Sequence, residues 1–183
     1  MTSPAFILGI GGTTRPDSSS ERILRAALAR IEAHGVATEC LAGPDLMLPL
    51  YAPGQSARDP RAETLVARMR GCAGVVIASP GYHGTISGLI KNALDYAEDL
   101  AADARPYFDG KPVGCIACAY GWQAAGSTLA TLRTISHALR GWPTPLGVTI
   151  NSSLAASASG DDASMQAEAS LDILARQMIE RLG

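Results

Sequence analysis

Neither sign of charge is in excess in this chain, where 15 Lys and Arg stand against 17 Asp and Glu, a formal net charge of −2. A general nucleic-acid binder carries a basic stripe, so nucleic acid is not expected as a partner. No apolar run approaches the roughly 18 to 20 residues of a helical membrane span, and no membrane is expected either. The first residues lack a basic stretch followed by an apolar core. Ala5–Ile10 is short and runs into glycines, so a cytoplasmic protein is expected. His34, His83 and His137 have no ligand spacing, so no metal site is expected. No Ser or Cys nucleophile sits in a strand-to-helix elbow, and no carboxylate is placed to orient His83 as a base. No catalytic side chain is therefore assigned.

Cysteine is scarce but suggestively spaced. Cys40 and Cys72 stand alone, whereas Cys115 and Cys118 have C-x-x-C spacing. Those two lie inside the apolar run Pro112–Ala119, which reads as a buried strand. Positions three apart on a strand point to opposite faces, so the pair is expected as core thiols, with neither a shared metal nor a disulfide.

What is present is a globular composition, 47% hydrophobic and 17% charged over 183 residues, expected to form one domain over residues 1–183. Five short apolar runs alternate with helical patterns. The runs are Ala5–Ile10, Val36–Leu41, Gly74–Ser79, Val113–Ala119 and Leu146–Ile150. They show little alternation, as strands buried on both faces do. Apolar residues recur at helical spacing in Ser20–His34, Glu63–Arg70, Gly88–Leu100, Ser127–Leu139 and Ala163–Leu182. Ser152–Asp162 is small and polar and reads as a surface loop. Alternating strands and helices predict an α/β fold, a doubly wound five-stranded parallel sheet in order 2-1-3-4-5 with helices on both faces. In such sheets ligands bind beyond the carboxyl ends of the strands, where the winding direction switches.

The segment after the first run is Gly9-Ile-Gly-Gly-Thr-Thr-Arg-Pro-Asp-Ser-Ser-Ser-Glu21. Thr13, Thr14, Ser18, Ser19 and Ser20 offer hydroxyl donors, Arg15 offers a fixed planar charge, and a helix N-terminus follows. A helix cap needs one hydroxyl. This stretch has five and an arginine, the makings of a cradle for a phosphate monoester. It is no Walker loop, lacking Gly-Lys-Ser/Thr, and no dinucleotide fingerprint, lacking the third spaced glycine. After the third run comes Ser79-Pro-Gly-Tyr-His-Gly-Thr-Ile-Ser-Gly-Leu-Ile-Lys-Asn-Ala-Leu-Asp95. Pro80 fixes the chain direction and Gly81 allows an unusual backbone angle. Tyr82 and His83 present a flat surface with a polar tip, and Gly84 and Thr85 expose N–H groups. An ordinary turn with a solvent-facing histidine is the plainer alternative. Lys91 and Asp95, four apart, are expected to pair. After the fourth run comes Tyr120-Gly-Trp-Gln123.

Taken together, these segments resemble the NADPH-dependent FMN reductase family of flavodoxin-like proteins. The resemblance rests on Gly12-Thr-Thr-Arg15…Ser18-x-Ser20, on Leu48-Pro-Leu-Tyr51, and above all on Ser79-Pro-x-Tyr82-His-Gly-Thr-x-Ser-Gly88-Leu-x-Lys91-Asn-Ala-x-Asp95. It implies a flavodoxin-like fold with FMN at the switch point. Thr13, Arg15, Ser18 and Ser20 would hold the phosphate. Pro80, Tyr82, His83, Gly84 and Thr85 would line the ribityl chain and ring, and Tyr120, Gly121 and Trp122 would approach from the next loop. It further implies NADPH or NADH as donor, with flavin, quinone, azo dye or a similar small molecule as electron acceptor, and a homodimer or homotetramer. Many members have an acidic or apolar residue at Gly81, an Asn at His83, and a glycine-rich run where Tyr120 and Trp122 stand. Those aromatics would stack on the ring, cover it, or pack at a subunit contact. The competing readings are a flavodoxin-type electron carrier, which is usually far more acidic and lacks the arginine, and a flavin-binding module without turnover.

Overall fold

The computed structural model describes residues 5–55, 57–153 and 160–182. The strands are β1 (Phe6–Gly11), β2 (Ala37–Ala42), β3 (Gly74–Tyr82), β4 (Thr85–Ile86), β5 (Pro112–Ala119), β6 (Trp142–Pro143) and β7 (Val148–Asn151). The helices are α1 (Ser19–Ala33), α2 (Pro60–Gly71), α3 (Gly88–Asp95), α4 (Trp122–Ala138) and α5 (Gly160–Glu180), with 3-10 turns at Gly43–Leu46 and Tyr96–Leu100. The main strands run parallel in the order β2-β1-β3-β5-β7, which is the expected 2-1-3-4-5 winding.

Two short strands were not legible in the pattern. β4 turns back antiparallel onto the end of β3. β6 flanks the start of β5, pairing Pro112 with Trp142, while β7 flanks its end, pairing Ile116 with Val148 through Ala119 with Asn151. The outermost position of the sheet is thus filled by two strands in succession, interrupted at 144–147.

The sheet divides the core in two. On one face Leu8, Ile10, Val75, Ile77, Val113 and Cys115 pack with residues of α2, α3 and α4. On the other, Ile7, Val76, Ala78, Ile116 and Cys118 pack with α1 and α5. Cys115 and Cys118 therefore lie on opposite faces, both buried, as the strand period requires. Burial pushes both thiols up, Cys118 to about 12. Among the described residues no helix is long and apolar enough to cross a membrane, and no His, Cys, Asp and Glu cluster suits a metal ion.

Several element boundaries move. α2 starts at Pro60 instead of Glu63, because Asp59 caps it by accepting the Arg61 N–H at 2.9 Å and proline suits the first turn. α4 starts at Trp122 instead of Ser127; Trp122–Gly126 carries no apolar period. α5 starts at Gly160, so the end of the expected loop Ser152–Asp162 is helical; residues 154–159 lie outside the described residues.

A buried cation closes α2. Lys111, 6% exposed, donates to Met69 O at 2.7 Å and Arg70 O at 3.2 Å, the last carbonyls of the helix. Burial lowers its pKa, so its ammonium depends on those carbonyls. Lys111→Ala strands them without a donor, and a loss of about 1–3 kcal/mol is expected. Urea unfolding should show a lower midpoint at unchanged m; an unshifted midpoint would remove this role.

Candidate functional site

The carboxyl ends of β1, β3 and β5 lie side by side, Gly11 beside Ala78 and Ala78 beside Ile116 in the register. Crossovers leave β1 and β3 toward opposite faces of the sheet, since α1 packs on one side and α3 on the other. This is the switch point, and the sequence-predicted residues lie at or just after these three strand ends, Pro80 and Tyr82 within the end of β3 itself.

After β1 the chain turns at Gly12, with φ +92, and enters the hydroxyl-rich loop. The Thr13 hydroxyl accepts the Arg15 N–H at 3.1 Å and closes a tight turn. Ser18 caps α1, accepting the Glu21 N–H at 3.3 Å, and its hydroxyl lies 3.3 Å from that of Ser20. Two hydroxyl protons share that one mutual bond, so one stays free to donate outward. The N–H groups of Ser19 and Ser20 have no intrahelical acceptor. Thr13 and Ser18 are half-buried, Ser20 is buried, and Arg15 is exposed with no carboxylate partner among the described residues. Below the loop, a Cβ on Gly12 would meet Gly43 N at 3.0 Å, and one on Gly43 would meet Thr13 O at 3.1 Å. Glu21 lies buried there too. Its Oε1 accepts from Arg25 at 2.8 Å, while Oε2 has no partner.

The segment after β3 is a hairpin, where a loop was expected. Gly81 pairs with Ile86 and Tyr82 with Thr85, around a two-residue turn in which His83 has φ +51 and Gly84 φ +88. That is the left-handed pair of a primed hairpin turn. The unusual backbone angle expected at Gly81 sits instead at His83 and Gly84, a position that asparagine tolerates better than most residues. Gly81 is ordinary strand, and what it supplies is room: a Cβ there would lie 2.5 Å from Thr128 Oγ1 and 2.9 Å from Ala119 Cβ. Tyr82, His83, Gly84 and Thr85 are exposed, whereas Pro80 is buried in β3 opposite Cys118. Ser79 Oγ accepts the Ser87 N–H at 3.0 Å across the hairpin base, and Ser87 caps α3 by accepting the Ile90 N–H at 3.3 Å.

After β5, Tyr120 is 81% exposed and Trp122 opens α4 at 55%. Gly121 between them has φ +106, and no side chain caps the helix. The Gly121 N–H is already taken, donating to Asn151 Oδ1 at 3.0 Å.

Sequence reasoning missed how the second crossover is held. Asn92 accepts the Tyr51 N–H at 2.9 Å and donates to Pro49 O at 2.9 Å and Leu48 O at 3.3 Å. Tyr96 donates to Pro49 O at 2.9 Å, and Arg58 grips Asp99 with two bonds at 2.9 and 2.7 Å while covering the Tyr51 ring. The motifs Leu48–Tyr51 and Lys91–Asp95 are thus one structure. Its only advance signal was their joint presence. Lys91 does pair with Asp95, at 2.5 Å. Met47, Leu50, Tyr82, Tyr120 and Trp122 are exposed large hydrophobic side chains at or after the carboxyl ends of the strands.

Comparisons with known proteins bear on the family and the fold. A family model described as NADPH-dependent FMN reductase matches residues 6–155. The NADPH azoreductase of Bacillus sp. (strain OY1-2) is 35% identical over 86 residues, 46% of this chain and 45% of that protein. The FMN-dependent NADPH-azoreductase of Staphylococcus aureus (strain USA300) is 37% identical over 79 residues, 43% of this chain and 38% of that protein. The chain thus spans less than half the length of these curated relatives. FerB, a flavoenzyme NAD(P)H:(acceptor) oxidoreductase from Paracoccus denitrificans, superposes with a TM-score of 0.75 at 20% identity, covering 97% of this chain and 98% of that one. At that identity the likeness concerns the fold.

Gly81→Leu tests the tight seam between β3 and α4. It drives a side chain into Thr128 and Ala119, and a stability loss of about 1–3 kcal/mol is expected from overpacking. Thermal unfolding at the parental temperature would show that the seam yields freely.

Proposed function

The chain belongs to the NADPH-dependent FMN reductase family, and from that premise we propose that it binds FMN at the switch point and passes reducing equivalents from NADPH or NADH to a small-molecule acceptor. The observation that carries the reading is the cradle after β1: an unpaired arginine, a free hydroxyl proton and open helix N–H groups, in a loop seated on the close approach of Gly12 and Gly43 beneath it. This donor set fits a phosphate monoester, and Thr13, Arg15, Ser18 and Ser20 would hold it. Tyr82, His83, Gly84 and Thr85 would line the ribityl chain and one side of the ring, with Pro80 fixing the hairpin base beneath them. Tyr120, Gly121 and Trp122 would close the other side.

FMN, when bound, supplies the hydride-accepting ring that no protein side chain provides. The chain's own task is placement, charge and access. With the Gly121 N–H engaged by Asn151 and Thr85 paired with Tyr82 across the hairpin, donation toward the ring falls to the N–H groups of Trp122 and Gly84. Azo compounds, quinones and free flavin are flat acceptors that Tyr82, Tyr120 and Trp122 would accommodate. The relatives named azoreductases favour the first. Exposed apolar side chains on this rim also suit burial against further copies, as a homodimer or homotetramer in the cytoplasm.

A flavodoxin-type carrier or a silent flavin module would share the fold. The near-neutral charge and Arg15 favour the reductase. NADPH added anaerobically to the FMN-loaded protein is expected to bleach the visible flavin band rapidly; a band that persists would assign the protein to the carrier or module. Arg15→Ala removes a charge-assisted contact to the phosphate, so FMN affinity should fall about 10- to 100-fold in a flavin fluorescence titration with the fold intact. Unchanged affinity would refute the assignment of Arg15.

A further inference from the structure

β7 ends in Asn151, whose Oδ1 accepts three hydrogen bonds: the Gly121 N–H at 3.0 Å, the Ser153 N–H at 3.1 Å and the Ser153 hydroxyl at 2.7 Å. The Ser153 pair fixes the carboxamide, and the Gly121 bond reaches across to the end of β5. An ordinary capping side chain accepts from the second or third N–H of its helix. Here the acceptor comes from the neighbouring strand and takes the N–H of the residue before α4, leaving the first-turn donors open. The peptide that follows is held by α4 itself, Gly121 O accepting the Ala125 N–H at 3.1 Å, so the Asn151 bond ties the start of that helix to the end of β7. Nothing lies within 4 Å of the Cβ position at Gly121, and Tyr120 is 81% exposed. Without the Asn151 bond the Tyr120–Gly121 peptide would turn, re-aiming Tyr120 and shifting the start of α4, with Trp122 and its N–H, as one piece.

We infer that Asn151 is a positioning residue for the flavin site: it orients Tyr120-Gly121-Trp122 against the FMN ring through its bond to the Gly121 N–H. This rests on the FMN reading above. Asn151 ends β7, separated by β3 and β5 from β1 and its phosphate loop. Its effect is confined to the ring end, where it sets the place of Tyr120 and of the start of α4, so that Trp122 and its N–H stand against the ring where charge accumulates on reduction.

The test uses the FMN-loaded protein carrying Trp142→Phe, so that Trp122 is the sole tryptophan. Asn151→Ala is expected to bind FMN about as tightly as the parent, since the phosphate loop is intact. Quenching of Trp122 fluorescence by FMN should fall. Preference for the reduced flavin should drop about tenfold, which lowers the two-electron midpoint potential by about 30 mV. Asn151→Ser, polar but too short to reach Gly121, should reproduce both changes should the alanine variant not fold. Asn151→Asp, which keeps an acceptor oxygen, should recover the quenching. Parental quenching and potential in the alanine or serine variant overturn the role of Asn151 and leave the FMN reading standing. Failure of the parent itself to bind FMN overturns both.

Discussion

Strands buried on both faces leave a chain only the two ends of its sheet for exposed polar chemistry, and this constraint organises the molecule. β5 is buried along its whole length, and β3 from Gly74 to Pro80. Helices cover both surfaces, so a ligand can approach only where strands stop and turns begin. At the amino end the openings are filled from within, Lys111 closing the carbonyls of α2. At the carboxyl end they stay open. The hydroxyl loop, the hairpin tip and the aromatic turn stand there because the switch in winding separates the helices that follow β1 and β3.

Openness of that kind needs support, because turns that expose donors cannot be held by packing alone. The support comes from single polar side chains seated on regular elements. Asn92 on α3 binds three backbone groups of Leu48–Tyr51, Ser79 within β3 secures Ser87, and Asn151 at the end of β7 secures Gly121. Each amide or hydroxyl satisfies backbone groups that would otherwise need water. The site is therefore rigid at its base and open at its rim, the arrangement suited to a ligand whose own ring carries the chemistry.

How much of this was legible in the sequence follows from the range of the interactions. The five main strands show as runs of Val, Ile and small residues, and the strand period alone separates Cys115 from Cys118. The hydroxyl loop is local too, and its cap at Ser18 falls among the serines noted. The hairpin was hidden because β4 is only two residues long and its turn carries His83 where asparagine would have been a clear signal. The early start of α4 was hidden because Trp122–Gly126 has no apolar repeat. Gly81 was misread, since a glycine looks the same whether it serves an angle or a close neighbour, and Thr128 lies 47 positions away. Asn92 and Asn151 act across 41 and 30 residues. An isolated amide gives no local hint of that.

The divided outer edge of the sheet has a consequence for how copies of this chain can meet. β6 and β7 leave a break at 144–147, with Pro143 at its edge and Pro145 inside it, each without an N–H to offer. An incoming strand would find at this edge a ladder with missing rungs. Continuous pairing across it is blocked, and with it the open-ended sheet growth that exposed edges invite. The same irregularity keeps that flank of the protein from serving as a template for another.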